Sequence, residues 1–465
     1  MALPELGKEL LDNTYWCSLI GLRREIHMHP EPGFQEIRTQ GRVKEVLVKF
    51  AGIPECQMRT VAITGLIVDI KGTGPPNAEA KVKCVALRSD LDALTMKEGN
   101  NGLPYRSKNE GIAHMCGHDG HITALVGAAI LLQKRSDRIP SNCTVRLLFQ
   151  PAEESTPPGT GGYDFEKTGG GGAMPMIMEG CLEGVDEVYG WHNWPTWNLG
   201  EVIVRTGSVM AHTCNFKVVV TGRGGHGSQP QVCIDPVVCT ANLVGALQTI
   251  VSRALPSAAN AVVTVAQFHA GERDNVIPDT ATISGTIRDV DPRVFDTIKR
   301  RFNELVNGVC KAYGCTAEAK IFSMYPAVVN LEMGKEVVER CAAKLTGPVA
   351  LKAHSEGLPL MGGEDFSFFL QQRPGCFFFL GTQELLLRGL SSYDGGEDTP
   401  RSNCICHGTT YDFNDNVLPR AVLMLLRIVE DRLGLDLYSQ DEVLSASGNL
   451  TTTVAGGEAK RQRMA

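Results

Sequence analysis

No stretch of this 465-residue chain is expected to be apolar for long enough to span a bilayer. ALVGAAILL (124–132) is one of the longest and falls far short of the about 20 residues a membrane helix needs. An excess of basic charge is also missing. With 45 Lys and Arg against 52 Asp and Glu the net charge is -7, which gives no reason to expect nucleic acid or an anionic membrane as a partner. The opening MALPELGKELLDN lacks the basic-then-apolar layout of a secretory signal, and RQRMA is neither a retention nor a peroxisomal tag. A cytoplasmic location is the expectation. CICH (404–407) has no second CxxC or HxxxH pair beside it, so a structural zinc finger is not expected.

What is present is ordinary in bulk: 43% apolar, 21% charged, and long enough for two domains with a large core. The 15 cysteines are scattered, as reduced and mostly buried thiols would be.

The first 200 residues alternate helix-like and strand-like segments. WCSLIGLRREIHMHP reads as a helix ending before Pro30, and ITALVGAAILLQKR (122–135) as another. VKCVALRSDLDAL (82–94), TVRLLFQPAEES (144–155) and VDEVYGWHNWP (185–195) read as strands, the last two stopped by Pro151 and Pro195. Such alternation predicts an α/β domain with a mostly parallel sheet. The Gly/Pro-rich stretch 155–175 must be a long loop. From about 211 the pattern changes to antiparallel strands and two helices, in a compact unit of roughly 110 residues. After about 325 the helix–strand alternation resumes. The expected organisation is therefore a discontinuous domain, 1–210 and 325–440, with 211–324 inserted and a disordered tail at 441–465.

HMCGHDGH (114–121) packs three histidines, a cysteine and an aspartate into eight positions. It could hold a metal, carry a nucleophile, or simply open a helix. Asp90 and Asp92, Glu153 and Glu154, and His192 each fall at the carboxyl end of an expected strand, and Cys116 and His118 fall just before a helix. Ligands of open α/β sheets bind at those ends, so these residues are expected to converge. Imidazole, thiolate and carboxylate together suit zinc and tolerate manganese or cobalt. Of two adjacent glutamates on opposite strand faces, one would ligate and the other take a proton from the attacking water. Taken singly, each feature also fits a satisfied core histidine, a turn-capping Asp pair or a solvated acidic face. GRGGHG (222–227) matches a dinucleotide fingerprint only formally, because Pro230 follows and no helix opens there. A Cys116 nucleophile would leave the paired acids unexplained.

LRREIHMHPEPGFQE, ALRSDLDAL, HMCGHDGHITALVGAA, LLFQPAEES, GRGGHGSQP and MGGEDFSFFL occur in this order. The set resembles the M20 family of metal-dependent amidohydrolases, in the branch of N-acyl-amino-acid, hippurate and auxin-conjugate hydrolases, from about residue 15 to about 435. The resemblance implies a zinc-peptidase-like α/β catalytic domain with an inserted α+β, ferredoxin-like lid that mediates dimerisation. A homodimer or homotetramer is expected. It implies metal ligands at Cys116, His118, Glu154, His192 and His407, a general base at Glu153, and a supporting acid at Asp92. It also implies an oxyanion-stabilising His226 and substrate contacts at Asn275 and Arg288. Asp90 stands where other branches have a histidine ligand. His27 and His29 belong to the N-terminal motif and are expected to act structurally. The implied cofactors are one or two divalent ions, Zn2+ or Mn2+, with Co2+ or Ni2+ as further options. The implied substrate is a small N-acyl-amino acid. The alternatives are a dipeptidase or carboxypeptidase on the same scaffold, or a non-catalytic ligand-binding relative. About a dozen residues beyond the family pattern follow the two glutamates, in a loop placed to border a pocket.

Overall fold

The structure, a computed structural model, describes residues 13–154, 156–157, 159–383, 405–439 and 441–442. The chain divides into two compact units, Met1–Gly207 with Asn330–Leu358 and Phe368–Ala465, and Ser208–Val329 with Pro359–Ser367. The short Pro359–Ser367 piece, expected in the first unit, joins the second through backbone bonds. Leu360 N–H donates to the Val209 carbonyl and Ala211 N–H to the Gly362 carbonyl, both at 2.9 Å.

The first unit is built on an eight-stranded mixed sheet. Its order is Met58–Val61, Gly65–Lys71, Thr144–Gln150, Cys84–Asp90, Glu187–Asn198, Gly375–Gln383, Glu201–Ile203 and Lys352–His354. Its centre is parallel: Cys84–Asp90 pairs in parallel with both Thr144–Gln150 and Glu187–Asn198, and Glu187–Asn198 with Gly375–Gln383. Cys84–Asp90 is buried at every position, as a central strand covered on both faces must be. The helix His118–Lys134 is buried continuously from His118 to Leu132, so it has no polar face to give to solvent. It packs with Asn13–Met28 and Leu418–Leu433 in one apolar core.

Three local expectations are corrected. The long helix begins at His118 and not at 122, so His118 sits in its first turn. Glu187–Asn198 runs through Pro195, where a register shift opposite Gly381–Gln383 lets the strand pass a residue with no N–H. The 155–175 stretch contains two short helical turns, Thr160–Gly162 and Phe165–Thr168, before the helix Ala173–Met178. Cys404 and nearly all of the expected tail lie outside the described residues.

The second unit is a four-stranded antiparallel sheet, ordered Ala261–Ala270, Thr280–Asp289, His212–Thr221, Thr316–Ser323. With the helices Pro236–Thr249 and Pro292–Ala312 the chain order is strand, helix, strand, strand, helix, strand. Each helix opens on an Asp-Pro pair: Asp235 accepts from the Val237 and Val238 N–H groups, and Asp291 from Arg293. Phe216, Leu243, Leu247, Ile283, Ile298 and Phe302 fill the space between sheet and helices. Contrary to the sequence expectation, one helical stretch, Pro236–Ala254, is long and apolar enough by length and composition to cross a membrane. It instead lays Cys239, Leu243, Leu247 and Ile250 into this core.

Candidate metal centre

The parallel register Asp90↔Gln150 brings the ends of two strands side by side, so the segments leaving them start together. The first carries Asp92 and the second Glu153 and Glu154. The two glutamates do not alternate on a strand, because Pro151 follows the last strand residue and Ala152 adopts φ 50. A left-handed alanine is strained, and two bonds hold it: its N–H donates to Glu36 Oε1 at 2.9 Å and its carbonyl accepts from Gly172 N–H at 3.0 Å. As a result both glutamates, not one, approach the same imidazole: Glu153 Oε2 and Glu154 Oε1 each stand 3.9 Å from His118 Nε2.

His118 is aimed by its other nitrogen. Nδ1 meets the Asp92 backbone carbonyl at 2.9 Å and Asp92 Oδ1 at 3.3 Å, so it carries the N–H. Asp92 Oδ2 accepts from Glu154 N–H at 2.9 Å and thereby fixes both neighbours. Nε2 of His118 is buried and makes no hydrogen bond. Burial disfavours charge on this imidazole, but Asp90 and Asp92 outweigh it and push it up to about 10. The carboxylates hold a proton where a metal cation would serve the same electrostatic purpose.

Cys116 lies two residues before His118, across Gly117. That glycine has φ 97 and packs against the Asn193 amide and the Tyr411 hydroxyl, leaving no room for a Cβ. Asn193 Nδ2 donates to the Cys116 carbonyl at 2.7 Å. The Cys116 sulfur is 3.3 Å from His192 Nε2, and His192 lies within its strand, not at its end. Burial and the neighbouring His121 hold the His192 imidazole well below its usual range, so it is neutral. The Cys116 thiol is pushed well up, first by a thiol–thiol hydrogen bond with Cys406, then by burial and by Glu154. His407 comes from the far end of the chain. It has φ 66, is fastened by its N–H to the Met115 carbonyl at 2.7 Å, and sets Nε2 3.0 Å from Glu154 Oε1.

Donor atoms of Cys116, His118 and His192 lie within 4.8 Å of one another, and so do those of Cys116, Glu154 and His407. Ligand atoms about 2.0–2.3 Å from one ion stand roughly 3.3–3.8 Å apart in a tetrahedron. The two triplets approach that spacing, so each could close on one divalent ion, with Cys116 common to both. Glu153 is almost fully buried beside them. In a third triplet, Asp90, His118 and His121, the Asp90 and His121 members already have partners. His121 Nδ1 meets Asp90 Oδ1 at 2.8 Å, its Nε2 accepts from Asn193 N–H at 3.1 Å, and Arg88 pairs with Asp90 at 2.8 Å.

Three expected substrate residues belong to the second unit. His226 and Asn275 come together because Gly225–His226 pairs with Val276–Ile277, and Gly227 N–H donates to the Asn275 carbonyl at 2.8 Å. The Ser228 N–H donates to His226 Nδ1 at 3.1 Å, which leaves the proton of the neutral ring on Nε2. Arg288 is half-buried and touches neutral partners, Thr286 Oγ1 and the Met361 carbonyl, both at 3.2 Å. Among the described residues no carboxylate pairs with it, and burial lowers its guanidinium from the usual range. Such a cation is suited to an incoming anion.

His27 is buried between Asp119, 2.9 Å from Nδ1, and Glu98, 3.5 Å from Nε2. Burial opposes its charge, but these two acids push it up to about 9. His29 is partly buried and takes no part in either triplet. Sequence reasoning missed Glu36, Asn193 and Cys406. Glu36 was visible in the HPEPGFQE segment, but only the fold shows it reaching Ala152. A cysteine–histidine–aspartate relay in the second unit also went unread: His212 meets Cys214 at 3.3 Å and Asp289 at 2.7 Å. Cys214 is completely buried there, so no substrate reaches its sulfur.

Residues 86–391 match the model of peptidase family M20/M25/M40. N-acetyl-L-cysteine deacetylase of Bacillus subtilis is 39% identical over 383 residues, 82% of this chain and 84% of that protein. Thermostable carboxypeptidase 1 of Saccharolobus solfataricus is 38% identical over 366 residues, 78% of this chain and 86% of that protein. The crystal structure of the Bacillus subtilis YXEP protein, a dinuclear metal-binding peptidase from the M20 family, superposes with a TM-score of 0.70. It is 29% identical and covers 91% of this chain and 100% of that one. A centre of thiol, imidazole and carboxylate donors, matched across most of the chain to such relatives, makes this protein a member of peptidase family M20/M25/M40 and a metal-dependent hydrolase of amide bonds.

Proposed function

We propose that this protein hydrolyses the amide bond of N-acyl-L-amino acids, releasing a carboxylic acid and a free amino acid. The observation that carries this reading is the pair of donor triplets sharing Cys116, with Glu153 beside them. Cys116, His118 and His192 would hold one ion; Cys116, Glu154 and His407 the other. A shared thiolate favours Zn2+ or Co2+ over Mn2+. When bound, the ions supply Lewis acidity that brings a water's pKa toward neutrality.

The protein's own residues do the rest. Glu153 takes the proton of the attacking water as its oxygen bonds to the amide carbon, and delivers it to the nitrogen as the C–N bond breaks. Asp92 keeps His118 and Glu154 oriented. The Nε2–H of His226 donates to the developing oxyanion, an effect on the order of 3 kcal/mol for one donor. Arg288 and Asn275 accept the amino acid's carboxylate; a guanidinium binds it bidentately. The strand–helix–strand–strand–helix–strand order supports reading the second unit as a ferredoxin-like lid. One of its two edge strands, Ala261–Ala270, exposes Val262 and Phe268. An apolar sheet edge of this kind supports pairing with a second copy.

The likeness to a thermostable carboxypeptidase favours a second reading, cleavage of peptides from the carboxyl end. Chelator-stripped protein, reloaded with Zn2+, Co2+ or Mn2+, should recover hydrolysis of N-acetyl- and N-benzoyl-amino acids. Faster turnover of free dipeptides or longer peptides would select the second reading. Full activity after stripping would remove both.

A further inference from the structure

Cys406 is the residue before His407, and neither triplet includes it. The backbone bond from His407 N–H to the Met115 carbonyl, 2.7 Å, lies directly beside the Cys116 and Cys406 pair. It ties together the two backbone segments that carry the cysteines. The Cys406 sulfur is 3.7 Å from the Cys116 carbonyl, which brings the two residues into direct contact. Both cysteines are free, Cys406 partly exposed and Cys116 buried. Cys406 is therefore the more accessible of the two residues to an oxidant.

We propose that Cys116 and Cys406 form a reversible disulfide in the metal-free protein, removing the one sulfur donor on which both ion sites depend. The proposal rests on the reading of Cys116 as the shared ligand. The oxidant is a hydroperoxide. The Cys406 thiolate attacks the peroxide oxygen, giving a sulfenic acid and releasing water or alcohol. The Cys116 sulfur then attacks the Cys406 sulfur, the S–O bond breaks, and a second water leaves. Two thiols are oxidised by two electrons and one peroxide is reduced. A dithiol reverses the step by thiol–disulfide exchange. Bound ions prevent it, because a thiolate held by metal cannot attack. Cys406 also spares Cys116 from over-oxidation, since a sulfenic acid trapped as a disulfide goes no further up the oxidation ladder. Cys239 and Cys310 form a second close pair, 3.8 Å apart, but both are buried in the second unit, and they provide an internal comparison sealed from solvent.

The test uses the full-length protein, stripped with chelator, treated with hydrogen peroxide, alkylated, digested and mapped by mass spectrometry. Zinc uptake is measured in parallel by metal analysis. The expected result is a peptide linked through Cys116 and Cys406, loss of two free thiols, and loss of zinc uptake, all reversed by dithiothreitol and all prevented by zinc loaded beforehand. Cys406→Ala, with Cys406→Ser alongside, should still take up zinc before oxidation, since neither ion site uses the Cys406 sulfur. After peroxide these variants should lose that capacity in a way dithiothreitol does not restore. Absence of the linked peptide overturns the proposal. So does a link that survives in Cys406→Ala through Cys404, or one that leaves zinc uptake unchanged. A reduced parent that takes up no zinc defeats the metal reading instead, while the peptide map still decides the disulfide.

Discussion

Replacing Asp92 by Asn tests whether one buried carboxylate organises the centre. Asp92 Oδ2 accepts from Glu154 N–H at 2.9 Å, and Oδ1 lies 3.3 Å from His118 Nδ1. An asparagine has one acceptor oxygen. If that oxygen stays on Glu154 N–H, its amide N–H2 faces the His118 N–H, donor against donor. Hydrogen bonds to charged groups contribute about 1.5–3 kcal/mol. The Asp92 backbone carbonyl, 2.9 Å from the same Nδ1, keeps part of the orientation and places the loss near the middle of that range. About 2 kcal/mol is roughly 30-fold in affinity. That falls within the about 10–100-fold cost of removing a carboxylate behind a metal-binding histidine. Competition with a chromophoric chelator would measure zinc affinity, and calorimetric unfolding of the metal-free protein would measure stability. A thermally sound Asp92→Asn protein whose zinc affinity stays within twofold of the parent would refute the orienting role.

Glu153→Gln keeps the shape of the side chain but cannot accept a proton. Turnover should fall by at least about a hundredfold, the scale of a general base, with zinc stoichiometry unchanged by metal analysis; near-parental rates would remove Glu153 from the mechanism. Arg288→Met should raise KM for N-acyl-amino acids far more than for their amides, which lack the carboxylate; an equal effect on both would count against carboxylate recognition. His27→Gln tests the buried His27–Asp119 pair. The imidazole is raised from 6.5 to about 9 on folding, so its contribution is complete below pH 6.5 and disappears as pH rises toward 9. The shift bounds that contribution at about 3 kcal/mol. Denaturant unfolding of the metal-free protein should show a deficit in the variant at pH 6 that closes by pH 9; a deficit equal at both would point to packing.

The helical and strand periods of the first unit were legible because its segments are long and strongly patterned. Ala124–Leu132 could be only a buried helix, and the Asp-Pro pairs announce both helices of the second unit. Boundaries were less legible where a single residue's conformation decides them. Pro195 reads as a stop, yet a bulge carries the strand through it. Ala152 reads as an ordinary residue after a strand, yet its left-handed backbone brings both glutamates to one imidazole.

By itself the sequence determined the chemistry on offer: a thiol, several imidazoles and paired acids, set in an order that matches one hydrolase family. Residue type and spacing fix which donors exist and which segments carry them, since both follow from local backbone geometry. Only the tertiary structure decided which donors meet. It put His407 on Glu154 from about 250 residues away in the chain, gave Cys116 to two triplets, and turned His121 inward to Asp90 and Asn193. Those outcomes depend on strand register and on strained turns held by distant hydrogen bonds, and no local spacing rule encodes either.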